Sequence, residues 1–346
     1  VTGSADAPAR ARARLTPMVL AAALLLAAGW SLTVGNYPVS LGEQWGQIVR
    51  AVTGTPGSDD RARLVGMILW DIRAPRLAAA VLVGAVLSAS GAAFQAVFVN
   101  PLVSPGLLGV LAGACFGAAL GMLAGAPWPV VQAGAFLGGL AAVGLALGLA
   151  RLCRGDRLLL LILGGVISSA LFTALLAAVK YVADPIDQLP GITYWLMGGL
   201  SRADGPALAR AAPVFGLGLA GLLLFSRQLN LLSLGEEEAK SLGLAVGPTR
   251  LLLIALSTVA CAATVSIAGL IGWVGLIIPH AGRMLVGPDN RVLLPTSALL
   301  GGLYLLLVDD LSRLAFSVEI PLGILTALAG IPFFPLVLRN ARRAWG

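Results

Sequence analysis

Groups able to do acid–base, nucleophilic or metal chemistry are few in this sequence, and their spacing suits none of those reactions. The densest set is Glu236, Glu237 and Glu238 with Lys240, inside the polar run Asn230–Gly243. Ser233 stands three residues before Glu236, as a capping box requires, so a short helix is expected to begin near Ser233. Its acidic first turn would complement the positive end of the helix dipole, and the Gly-Leu-Gly flank would limit its length. Such a helix is either a solvated loop element or a dock for a partner, and composition leaves both open. The second set, Asp309 and Asp310 beside Arg313, reads as a charge cluster at a helix end rather than a proton relay. His280, the single histidine, reads as a packed or backbone-bonded residue. Cys115, Cys153 and Cys261 are odd in number and lack metal spacing, so they read as apolar filler and not as a disulfide or metal framework.

No GxxxxGK[ST], HExxH, GxSxG or CxxC pattern occurs. The sequence therefore offers no catalytic residue, no metal site and no bound cofactor, which argues against an enzyme acting alone. Ion-coupled transport, the rival class, needs ionisable groups at membrane depth, and these are scarce.

The elements that must carry these groups are membrane spans. Of 346 residues 58% are hydrophobic and only 11% charged, against about 25% charged in soluble domains. Val130–Ala150 and Leu158–Val179 run close to the length that crosses hydrocarbon without a charge. Ten spans are expected: Leu15–Val34, Arg76–Phe98, Leu107–Gly125, Val130–Ala150, Leu158–Tyr181, Leu208–Phe225, Leu251–Ile267, Gly272–Val286, Val292–Asp309 and Gly323–Leu338. The eighth looks too short to cross upright. The 44 glycines, many within apolar runs, predict close helix contacts. The net charge of +7 reflects topology rather than nucleic-acid binding, because the basic residues lie at span ends. With both termini inside, the cytoplasmic segments carry more Lys and Arg than the outer ones. Between the first two spans, Leu41, Trp45, Ile48, Val49 and Val52 fall at helical spacing and predict a helix lying in the interface. The segment YWLMGGL carries interfacial aromatics, and the echo of Ser88-x-x-Gly91…Pro101 in Ser266-x-x-Gly269…Pro279 reads as chance.

From Ile72 to Leu338 the chain resembles the binding-protein-dependent ABC permeases for iron-siderophores, haem, cobalamin and molybdate. The resemblance is carried by IRAPRLAAAVLVGAVLSASGAAFQAVFVNPLVSPGLLGVLAGA, YWLMGGLS, LNLLSLGEEEAKSLGL, GLIGWVGLIIPHAGRMLVGPDNR and EIPLGILTALAGIPFF, in that order. It implies an all-α integral membrane protein of about ten transmembrane helices, the BtuC-like (type II) permease fold. The expected layout is a cytoplasmic tail over 1–14, one permease domain over 15–339 and a cytoplasmic tail over 340–346, in the cell inner membrane. The implied partners are two ABC ATPase subunits, which use ATP and Mg, a second permease copy or paralogue, and a soluble substrate-binding protein. The implied ATPase-coupling helix comprises Leu234, Gly235, Glu236, Glu237, Glu238, Ala239, Lys240, Ser241, Leu242 and Gly243. Arg73 and Arg76, in the family's Arg-x-Pro-Arg pattern, and Arg313 match arginines that meet binding-protein carboxylates, a task suited to a bidentate, permanent cation. Val99 stands where the family often has arginine. Ser88, Gln95 and Asn100 are candidate pathway residues, and the expected cargo is a ferric siderophore, with haem, cobalamin and molybdate as alternatives.

Overall fold

A computed structural model describes residues 7–35, 37, 39–54, 59–315 and 318–332, with side chains from residue 15. The chain after residue 332, which includes the end of the expected tenth span, lies outside the described residues. Helix α1 (Ala7–Thr33) is followed by α2 (Leu41–Thr53), α3 (Asp60–Met67), a π-helical segment (Ile68–Arg73) and α4 (Ala74–Val97). After a 3-10 turn (Pro105–Leu108) come α5 (Val110–Leu123), α6 (Trp128–Leu152), α7 (Arg157–Val182), α8 (Leu189–Leu196) and α9 (Gly205–Leu224). The remainder comprises α10 (Ser226–Leu232), α11 (Glu236–Ser241), α12 (Val246–Ala268), α13 (Val274–Val286), α14 (Asn290–Leu314) and α15 (Leu322–Pro332).

Seven of these helices are long and apolar enough to span a membrane, and α5, α13 and α15 are shorter apolar helices. Together they correspond to the ten expected stretches. The shortfall expected of the eighth is seen in α13, whose 13 residues begin only at Val274. It recurs in α5, with 14 residues, because the 3-10 turn and Gly109, at φ 84°, take up the entry to that span.

Helix α4 is the central post, packed against α14, α12, α13 and α9. Its glycines set the spacing. A Cβ on Gly84 would lie 2.2 Å from the Gly301 carbonyl oxygen, and one on Gly91 would lie 1.9 Å from that of Gly275. Backbone therefore meets backbone, which maximises dispersion contact where lipid supplies no hydrophobic drive between helices. A second tight pair is α5 with α6, where a Cβ on Gly117 would stand 2.0 Å from the Gly134 carbonyl oxygen. Helix α2 has the expected span and leaves Trp45, Leu41 and Val52 exposed. Its start is a capping box in which Ser40 and Glu43 satisfy each other's backbone N–H groups.

Candidate functional site

The polar run that dominated the sequence folds as two short helices at one end of the bundle. The expected capping box at Ser233 is corrected by the structure. The Ser233 hydroxyl donates to the Leu229 carbonyl at 2.8 Å and closes α10. Helix α11 instead starts after Gly235, whose φ of 109° makes the turn that separates the two helices. Serine close to a helix end bonds back to its own turn as readily as forward to the next.

Two attachments hold this unit to the spans. The Asn230 side chain donates to Asp289 Oδ1 at 2.7 Å, while its Oδ1 accepts from the backbone N–H and the side-chain amide of Asn290. That ties α10 to the first turn of α14. Glu236 accepts from Arg250 Nη1 at 3.1 Å and pairs with Lys240 at 2.7 Å, so α11 is tied to α12. The bond from Lys240, then that from Arg250, holds the Glu236 carboxyl below the usual carboxylate range. Ala239 is fully buried beneath α11. The coupling-helix candidates thus divide into two faces. Glu236 and Ala239 face the protein, whereas Leu234, Glu237, Glu238, Lys240, Ser241, Leu242 and Gly243 are exposed and Gly235 is partly so. The sequence does not single out Asn230, Arg250, Asp289 or Asn290 as the anchors of this unit. The sequence signal lay in the charges flanking α12 and α14, which read only as topology.

The opposite end holds the three expected docking arginines, and they are internally bound. Arg73, 6% exposed, donates to the carbonyls of Leu32 and Tyr37. Arg76 grips Asp309 through Nε and Nη2 at 2.9 to 3.1 Å and reaches Glu319 at 2.8 Å. Arg313 meets Asp310 and lies 3.3 Å from Asp309. Ser31 of α1 donates to Asp310 at 2.6 Å. Arg76 and Arg313 with Asp309, Asp310 and Glu319 therefore join α1, α4 and α14, and Arg73, beside Arg313 but bonded only to backbone carbonyls, brings the local charge to zero. Asp309 and Asp310 form the helix-end cluster that their spacing suggested.

The pathway candidates also lie inside the packing. Ser88 is fully buried in the α4–α14 crossing, where a Cβ on Gly301 would meet its Oγ at 2.0 Å. Gln95 is 3% exposed and donates to the Leu276 carbonyl at 3.4 Å. Asn100, half-buried, accepts from the Leu102 N–H in the turn after α4. Gln95 thus bonds α4 to α13, whereas the Ser88 hydroxyl is packed between α4 and α14 without a hydrogen-bond partner. No group of three or more His, Cys, Asp or Glu that could hold a metal occurs among the described residues, and the three cysteines are free.

Comparison with known proteins matches residues 22–340 to the FecCD transport family. The molybdate import system permease protein MolB of Haemophilus influenzae is 40% identical over 320 residues, covering 92% of this chain and 94% of that protein. The cobalamin import system permease protein BtuC of Halobacterium salinarum is 41% identical over 275 residues, 79% of this chain and 74% of that one. A solved inward-facing structure assigned to the metal-chelate type of ABC transporter superposes with a TM-score of 0.84 at 38% identity, covering 94% and 98% of the two chains.

Proposed function

The chain belongs to the FecCD transport family, and from that membership we propose how this multi-pass permease subunit of an ABC importer receives force and what it carries. It is not itself an enzyme; hydrolysis belongs to a separate ATPase. The observation that carries the reading is the division of α11 into an anchored and a free face. Glu236 and Ala239 lock the helix to α12 and to the core. Leu234 and Leu242, 57% and 60% exposed, flank Glu237 and Glu238 on the other side. Two bare leucines at the ends of an acidic surface form a small apolar contact with an electrostatic frame, which suits a protein partner. The ATPase subunit seats there, so this end faces the cytoplasm and so do both termini. ATP binding and binding-protein docking then bias one inward–outward equilibrium in different ways.

A second copy, or a paralogue, completes the pathway. The soluble binding protein docks at the opposite end. With Arg73, Arg76 and Arg313 engaged internally, the exposed Arg63 and Arg202 are the better candidates to meet its carboxylates, Arg202 lying 4.6 Å over the Trp128 ring. The cargo is an iron chelate such as a ferric siderophore. Among the described residues, every Asp, Glu, Lys and Arg of the apolar helices lies within two turns of a helix end. A chelate that masks its metal's charge crosses such an interior at less desolvation cost than a bare oxyanion. Haem, cobalamin and molybdate are distinguished from it by a ligand screen of the cognate binding protein. Selective retention of ferric siderophore supports the assignment, and selective retention of molybdate overturns it. Cysteines at Glu237 and Leu242 should cross-link to the ATPase subunit; cross-linking only from the Arg63 end would reverse the orientation.

A further inference from the structure

Beside the anchored face of α11 lies a cavity of about 700 Å³ that coupling does not explain. It opens between the α6–α7 connection and the first turns of α12, at the same end of the bundle as α11. Four arginines line it: Arg151 at the end of α6, Arg154 in the connection, Arg157 at the start of α7 and Arg250 from α12. The walls below them are apolar, among them Leu147, Leu161 and Ile254.

The arginines are short of anions. No hydrogen bond or ion pair engages Arg151, Arg154 or Arg157 among the described residues. Asp156, the carboxylate among them, is occupied in capping α7 through the N–H groups of Leu158 and Leu159. Arg250 is 6% exposed; one of its nitrogens meets Glu236, while its Nε is buried without any partner. Arg157 reaches toward α12, since a Cβ on Gly247 would lie 3.4 Å from its Nη1. Leaving a buried guanidinium N–H unsatisfied is costly, and three further cations around one opening repel one another unless an anion sits among them.

We propose that this cavity binds an anionic phospholipid of the leaflet on the α11 side, its phosphate between Arg250 and the connection arginines and an acyl chain along the apolar wall. Charge complementarity names the headgroup. The exposed leucines that continue the wall toward the span surface, Leu159 and Leu163 on α7 with Leu251 and Leu252 on α12, name the chain. A free phosphate would satisfy the cations but leave that wall uncovered. The lipid would bridge α6 and α7 to α12 next to the point where α11 is anchored, so membrane composition would tune coupling. The leaflet rests on the orientation proposed above; binding itself does not.

Cys153 lines the cavity and is exposed, whereas Cys115 and Cys261 are buried, so its maleimide labelling reports occupancy in the unaltered chain. The test uses the purified full-length permease without its ATPase, in nanodiscs of phosphatidylcholine with or without phosphatidylglycerol, alongside native mass spectrometry of retained lipid. Phosphatidylglycerol should slow labelling and be retained selectively. Arg154→Gln and Arg157→Gln, both exposed, should each weaken retention on the order of fivefold, while Arg63→Gln at the opposite end changes nothing. Equal retention of both lipids by wild type overturns the proposal. So does protection by inorganic phosphate alone, which would indicate an ion site, or protection that requires added ATPase or persists in phosphatidylcholine alone, which would indicate a protein contact. The orientation fails separately, if membrane-impermeant maleimide reaches Cys153 in right-side-out vesicles.

Discussion

Replacing Asp309 by Asn tests whether the arginine cluster is a structural latch or a docking surface. Asp309 is fully buried and receives three of the contacts from Arg76, at 2.9 to 3.1 Å, with Arg313 at 3.3 Å. Its loss takes the cluster from three cations and three carboxylates to a net charge of +1 without changing shape. Arg76 keeps only Glu319, whose side chain is 39% exposed, and Arg313 keeps Asp310. Breaking a buried pair from one side costs about 3–5 kcal/mol, because the surviving charge stays desolvated. At roughly 2–4 °C per kcal/mol for a chain of 150–250 residues, and less for a longer one, the expected loss in Tm is on the order of 5–12 °C.

Two controls sharpen the measurement, made by thermal unfolding in one detergent. Glu319→Gln should cost less than about 1 kcal/mol, as a partly exposed ion pair does. The double change Arg76→Met with Asp309→Leu should recover most of the loss, because an apolar pair of similar volume carries no desolvation cost. An Asp309→Asn protein as stable as wild type, with weaker binding-protein affinity that rises at low salt, would refute the latch and restore the docking role.

Four further outcomes follow from the packing and the charges. Gly301→Ala puts a methyl 2.0 Å from Ser88 Oγ and 2.3 Å from the Gly84 carbonyl oxygen; it should destabilise by about 1–3 kcal/mol or more by forcing α4 from α14, read as Tm loss. Val99 holds φ 49°, a strained region for a β-branched residue, so Val99→Asn should gain on the order of 1 kcal/mol in denaturant unfolding. Asp289 is held at about 2, against an ordinary 3.8, first by Arg291 and then by Asn230. A lowered carboxylate stabilises above its unfolded value, so the Tm advantage of wild type over Asp289→Asn should be full above pH 4 and vanish as pH falls toward 2. Arg250→Gln should leave ATPase assembly measurable but lower transport per ATP hydrolysed, since it loosens α11 from α12; unchanged stoichiometry would contradict the anchoring.

What could be read from sequence was what depends on local cost. Each apolar stretch announces itself because any charge within it is expensive in lipid, so all ten appeared, including the short α13. The shortness of α5 did not, because the Pro105–Leu108 turn is as apolar as the helix it precedes. Partners distant in sequence were equally hidden. Arg76 at a span end looks free until Asp309, 233 residues away, is beside it. Local cap chemistry misled once, at Ser233, while the box that formed was Ser40 with Glu43. Ser88 and Gln95 read as weakly polar pathway residues, yet both are buried between helices; polarity inside a span does not tell a packed side chain from a lining one, and only packing separates the two.

The tight contacts also indicate where motion can enter. Helices α1, α4 and α14 are held by backbone contacts at Gly84 and Gly301 and by the ion cluster. Helices α5 and α6 are held by backbone contact at Gly117 and Gly134. Each set should move as a body, since close-packed interfaces shift between discrete arrangements rather than deform. Helix α12 touches both, packing on α4 and on α6, and it receives α11 through Arg250 and Glu236. A displacement of α11 therefore reaches a long helix that lies between the two bodies, near its start, where leverage on the rest of the helix is greatest. Asn230 supplies a second point of force, on α14. A load applied to α10 and α11 would therefore act on α12 and on α14 at once, through separate hydrogen bonds.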